Sequence, residues 1–180
     1  MEKCYTKPRR CENFLLFDSQ KCQRAHVLSM SNCPMISQRA KYALRALVAL
    51  ARNGKGPAMQ IADIAEKQSI PKKFLEQILL ELKRGGFVMS QRGKQGGYML
   101  LMPANEITFG EVLRLIDGPV APLPCLSLTA YRKCDDCAGE AECEIRHVFA
   151  RVADETRNVL LTSTIADSIL VSDGAVGGLE

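Results

Sequence analysis

From Ser37 to Asn53 the apolar positions Ala40, Leu44, Leu47, Val48 and Ala51 recur at steps of three and four. That spacing places them on one face of an amphipathic helix. Gly54-Lys55-Gly56-Pro57 ends it. A second, short helix is predicted from Gln60 to Gln68, with Ile61, Ile64 and Ala65 inward. Ser69 then suits a helix cap, and Pro71 suits a first turn, where its missing N–H costs nothing. A third helix runs from Pro71 to Arg84, turns Phe74, Leu75, Ile78, Leu79 and Leu82 inward, and stops at Gly85-Gly86. Beyond it, Phe87 to Arg92 and Tyr98 to Met102 read as two short strands, joined by the hairpin tip Gly93-Lys94-Gln95-Gly96-Gly97.

A helix fits Phe109 to Ile116, with Thr108 as its cap. After Cys143 a long helix resumes. Ile145, Phe149, Val152, Thr156, Val159 and Ser163 alternate steps of four and three along it, a heptad-like seam that reads as a self-pairing surface. Thr164 to Asp167 resembles a fresh cap that opens a short last helix. The fold class expected is therefore mainly α with a small β-hairpin wing: a winged helix-turn-helix DNA-binding domain plus a long dimerisation helix.

The expected organisation follows. Residues 1–34 lack periodicity and form an extension, either disordered or an over-extended start; Cys4, Cys11, Cys22 and Cys33 within it match no compact ligand motif. Residues 35–103 form the winged domain, 104–124 a connecting helix and turn, 125–143 a Cys-rich loop, 144–171 the dimerisation helix and a short C-terminal helix, and 172–180 a Gly-rich disordered tail.

Composition sharpens this picture through charge. The formal net charge is +4, but residues 35–103 hold twelve Lys/Arg against four Asp/Glu, while residues 104–180 hold six against thirteen. A basic middle and an acidic remainder confine any polyanion footprint to the helical module. No run approaches the ~18 apolar residues of a membrane span, and Phe14-Leu15-Leu16-Phe17 is too short for a signal-peptide core. A cytoplasmic protein with reduced thiols is expected, and no membrane partner.

The third helix offers Lys72, Lys73, Glu76, Gln77 and Lys83 on its polar face, and the wing offers Arg92 and Lys94 beside glycines. Gln can read adenine edges; Lys and Arg can neutralise phosphate or meet guanine. The glycines of the wing do not have the spacing of a nucleotide-binding loop.

The run MISQRAKYALRALVALA, the stretch FLEQILLELKRGGFVMSQRGKQGGYML and the Cys-rich loop that follows resemble one family over about residues 35–170. It is the family of bacterial winged-helix regulators typified by IscR, NsrR and RirA. The resemblance implies a homodimer on palindromic double-stranded operators, and an iron–sulfur cluster whose occupancy changes DNA affinity. It also places Gln77 among the base-reading residues and makes Arg92 the wing's DNA contact.

The candidate metal site is Cys125, Cys134, Cys137 and Cys143, in a chain of eight cysteines and two histidines. Thiolates, typically four, hold two-iron or four-iron clusters. The family supplies three loop cysteines, the last two separated by five residues, which Cys125, Cys137 and Cys143 match. Its usual fourth ligands are missing: Arg146 stands where some members have His, and Lys41 where others have a carboxylate on the partner subunit. Cys134 is the preferred substitute, because a nearby thiolate is the better iron ligand; His147 is the second choice. Zinc remains an alternative occupant, although only one CxxC knuckle, Cys134 to Cys137, is present. That pair could also act as a redox dithiol, but no βαβ pattern surrounds it.

The function expected is a non-enzymatic transcriptional regulator, a repressor, that senses iron, redox or nitric oxide status. The alternatives are a cluster-free thiol, metabolite or zinc-dependent regulator of the same fold and, from another class, a redox protein or iron–sulfur carrier. No acid–base pair or cofactor loop supports the last.

Overall fold

A computed structural model describes residues 36–54, 56–93, 96–134, 137 and 139–172. The N-terminal extension with its four cysteines, Lys94 of the wing tip and the tail after Ser172 lie outside the described residues. The elements are α1 (Gln38–Asn53), α2 (Ile61–Gln68), α3 (Lys72–Arg84), β1 (Val88–Gln91), β2 (Gly97–Leu100), α4 (Phe109–Ile116), a 3-10 turn (Pro124–Leu126), α5 (Glu144–Thr162) and α6 (Ile165–Ser172).

Helix α1 is the hub. Its alanines Ala40, Ala43, Ala46 and Ala49 are buried, and such small side chains let neighbours approach closely without weakening the helix. It packs against α2, α3, α4, α6 and β2. Ser37 caps it by accepting from the Ala40 N–H at 3.0 Å, while its own N–H donates to the Asp117 carboxylate at 2.9 Å. One residue thus starts α1 and ties it to the end of α4. The core between these helices is aliphatic: Leu47, Ile64, Leu75, Ile78, Leu79, Leu82, Ile107, Leu113 and Ile165 are fully buried.

The two strands pair antiparallel, with Val88 opposite Leu100 and Gln91 opposite Gly97. A short bridge from Met59 flanks them: the Met59 N–H reaches the Tyr98 carbonyl at 2.9 Å and the Tyr98 N–H returns at 2.7 Å. Gly97 makes this approach possible, because a Cβ there would stand 2.3 Å from the Met59 carbonyl oxygen.

Two capping boxes sit side by side at the far end of the domain. The Glu111 N–H donates to Thr108 Oγ1 at 3.3 Å, and the Thr108 N–H donates to the Glu111 carboxylate at 3.2 Å. Thr164 and Asp167 repeat the arrangement at the start of α6, at 3.2 and 2.8 Å. The Thr164 N–H and hydroxyl hold the Asp167 carboxyl below its usual range. The Phe109 N–H to Ser163 carbonyl bond (3.0 Å) and the Ile165 N–H to Ile107 carbonyl bond (2.9 Å) join the two starts.

Two expectations are corrected. Ser69 does not cap α3: it closes α2 in a left-handed conformation (φ 50°), and Pro71 stands at the start of α3 without a side-chain cap. Phe74 does not turn inward; it is 59% exposed. Leu75, Ile78, Leu79 and Leu82 already fill the buried stripe, whose axis runs through Leu75 and leaves Phe74 on its shoulder. Among the described residues, no helix is long and apolar enough to cross a membrane.

Candidate functional site

The helix-turn-helix consists of α2, the Ser69–Pro71 turn and α3. Lys72, Lys73, Glu76, Gln77 and Lys83 are all exposed on α3, as the sequence predicts, and Arg92 is exposed at the end of β1. Lys83 Nζ donates to Ser90 Oγ, so the helix and the wing are joined by one side chain. Arg39 of α1 pairs with Glu81 of α3 at 2.5 Å, and the Arg45 guanidinium donates to the Gln68 carbonyl at the end of α2. A half-exposed ion pair adds little stability. Its effect here is orientation, since both arginines brace the reading helices from α1. Sequence reasoning missed Arg39, Arg45 and Glu81: each joins different helices, and no local period marks such a pair.

The cysteine loop is built on the 3-10 turn. Pro124 opens it, and the Arg132 N–H returns to the Pro124 carbonyl at 3.2 Å. This curl buries Cys125. Cys134 is exposed, and Cys137 and Cys143 are half-buried. Cys137 Sγ lies 3.8 Å from Cys143 Sγ. Hydrogen bonding to Cys134 and then to Cys143, with partial desolvation, pushes the Cys137 thiol up to about 12. Cys137 and Cys143 therefore form a contacting pair of thiols, with Cys134 exposed on the same loop. Cys125 lines a cavity of about 280 Å³ with Tyr131, Arg146 and Ala150. Among the described residues, no group of three or more His, Cys, Asp or Glu side chains is gathered closely enough to hold a metal ion.

A polar relay shapes the rest of the loop. The Tyr131 hydroxyl donates to the Glu140 carboxylate, and Arg146 pairs with the other Glu140 oxygen at 3.1 Å. The hydrogen bond to Glu140 raises the Tyr131 phenol, with burial adding to it. His147 Nε2 lies 3.1 Å from the Ala141 carbonyl oxygen. Cys143 stands at the start of α5 with no side-chain cap bond. Lys41 is exposed on α1, and its ammonium cannot serve as a carboxylate ligand. The donor type suits a soft cation: Cys137 and Cys143 adjoin, and a thiophilic metal stabilises the thiolates it binds.

A basic second helix in a helix-turn-helix, a hairpin wing and a long helix beyond a thiol-rich loop are the parts of a winged-helix DNA-binding transcriptional regulator. The chain belongs to the Rrf2 family, described as iron-dependent transcriptional regulators, whose profile matches residues 36–170. It is 46% identical over 149 residues to an rrf2-like HTH-type transcriptional regulator of Rhodobacter capsulatus, covering 81% of this chain and 99% of that one. Among solved structures it resembles CymR, the global cysteine regulator of B. subtilis (TM-score 0.63, 28% identity, 74% of this chain and 94% of that one). It also resembles IscR of T. potens (TM-score 0.60, 27% identity, 84% and 96%). The resemblance drawn from the sequence motifs and the winged-helix fold expected from them both hold.

Proposed function

We propose that this regulator is a homodimeric repressor that binds palindromic operators and senses iron, redox or nitric oxide status through an iron–sulfur cluster. The observation that carries the reading is the contact of the Cys137 and Cys143 thiols, 3.8 Å apart, directly before the first residue of α5. Cys125, Cys134, Cys137 and Cys143 are the ligands of this proposal, and His147 is the reserve. A bound two-iron or four-iron cluster would supply a charge and redox state that oxygen, nitric oxide or iron shortage can alter. The protein's part is mechanical. Holding residues 125–143 folded fixes the start of α5 and, through α4, the orientation of the reading heads. Gln77 reads a base edge, and Lys72, Lys73, Arg92 and Lys94 bind phosphate or guanine. A coupling of about 1–3 kcal/mol between loop and operator changes affinity several-fold to a hundredfold.

Anaerobic purification followed by absorption spectroscopy and iron, sulfide and zinc analysis tests the reading. Brown protein with matched iron and sulfide is expected; colourless protein with stoichiometric zinc ends the cluster proposal in favour of a structural zinc site.

A second reading has its own support. Two thiols 3.8 Å apart can close to a disulfide with little motion, and CymR, the global cysteine regulator, is a structural relative. In that reading Cys137 and Cys143 lose two electrons and two protons to a peroxide, which leaves as two waters. Metal-free protein that loses two thiols per chain, and changes operator affinity, on peroxide treatment is its signature.

A further inference from the structure

Phe74 is the more exposed of the two large apolar side chains, with Leu80, that α3 leaves outside the core. Helical spacing assigns it to the buried stripe, yet it is 59% exposed, while its neighbours Leu75 and Ile78 are fully buried. It lies in the first turn of α3, with Lys72 and Lys73 before it and Gln77 one turn on, all exposed. An aromatic ring carries a large apolar area, and leaving it in water forfeits the benefit of covering it. Among the described residues nothing covers the ring, which leaves it open to a partner.

Two arguments identify it. In a helix-turn-helix, the N-terminal residues of the second helix meet base edges. The edge of a base pair in the major groove offers one apolar group, the C5-methyl of thymine. A second copy of this face is a poor alternative, because it would set Lys72 and Lys73 against their own copies. DNA meets the same lysines with phosphate. We propose that Phe74 packs against a thymine methyl in the major groove, which makes it a specificity-determining residue beside Gln77. The proposal rests on α3 being the reading helix.

The test uses full-length protein and a duplex that it selects from a random-sequence library. Each thymine is replaced in turn by deoxyuridine, which lacks only the methyl. Loss of one buried methyl should weaken wild-type binding about fourfold at one thymine position. Phe74→Ala should weaken binding to the thymine duplex by at least about fourfold and be indifferent to deoxyuridine at that same position. Phe74→Leu, which keeps an apolar side chain, should retain part of the preference. Unfolding midpoints of the variants should match wild type, since the ring is exposed. The proposal is overturned if no deoxyuridine position affects wild type, or if Phe74→Ala weakens both duplexes equally. Gln77→Ala separates the two levels. If it weakens binding while Phe74→Ala does not, only the Phe74 assignment fails. If both variants bind as wild type, the reading of α3 fails as well.

Discussion

Arg146 and Cys134 are the two residues at which this chain departs most usefully from its family's cysteine loop. Arg146 occupies the place of an expected histidine ligand, and it is bonded to Glu140, which in turn accepts from Tyr131. It holds the loop's shape and has no lone pair to offer a metal. His147, one step on, directs Nε2 at the Ala141 carbonyl, so it would have to bind through its other ring nitrogen or turn away. Cys134 needs neither change, because it stands three residues before Cys137 on the same loop with its side chain exposed. On the cluster reading, Cys134→Ala should lower iron and sulfide per chain to less than about half and bleach the visible absorption, whereas His147→Ala keeps both. The opposite pattern, read by the same metal and sulfide analysis, moves the fourth ligand to His147. The thiols themselves were legible from spacing. The Tyr131–Glu140–Arg146 relay was not, because its members meet across an irregular loop where no period links position to contact.

Among the elements, helix starts and stops are where local sequence carried most of the fold. Thr108 and Thr164 each precede an acidic residue three positions on, and both form reciprocal caps. Thr108→Ala removes the side-chain acceptor for the Glu111 N–H. It should cost about 1 kcal/mol, seen as an unfolding midpoint several degrees lower; an unchanged midpoint would mean that packing of Phe109 and Val112 alone fixes α4. The helices were visible because their apolar residues repeat every three or four positions. Ser69 was ambiguous, since only three residues separate α2 from α3 and one serine can close the first or open the second. The backbone decides: at φ 50°, the Ser69 N–H reaches the Glu66 carbonyl at 3.1 Å and satisfies the end of α2. Phe74 failed for a different reason. Adjacent apolar residues 74 and 75 both fit a wide stripe, and the stripe's centre is set by Ile78, Leu79 and Leu82, which select Leu75.

At the scale of the whole molecule, α5 is the element that the other described residues leave most uncovered. Its contacts run to α4 and to the 3-10 turn, and Ala153 is its buried residue. Ile145, Phe149, Val152 and Val159 of the predicted seam stay exposed on it, with Val148 and Leu161 beside them, while Thr156 and Ser163 of that seam are half-buried. An apolar strip of this length, rimmed by Arg151, Asp154 and Glu155, marks an interaction surface, and its heptad spacing suits a second α5. Two-fold pairing there would place two reading helices on one duplex, and binding would then gain from linkage of the two heads. Val152→Glu sets like charges against each other at the middle of such a pair while touching nothing in the α1–α4 core. The variant should sediment as a monomer and keep the wild-type unfolding signal of the winged domain. Its affinity for a two-half-site operator should fall about 100-fold or more, while affinity for a single half-site should change little. A variant that remains dimeric with full affinity would place the subunit interface elsewhere, and the cysteine loop could then no longer act on the heads through α5.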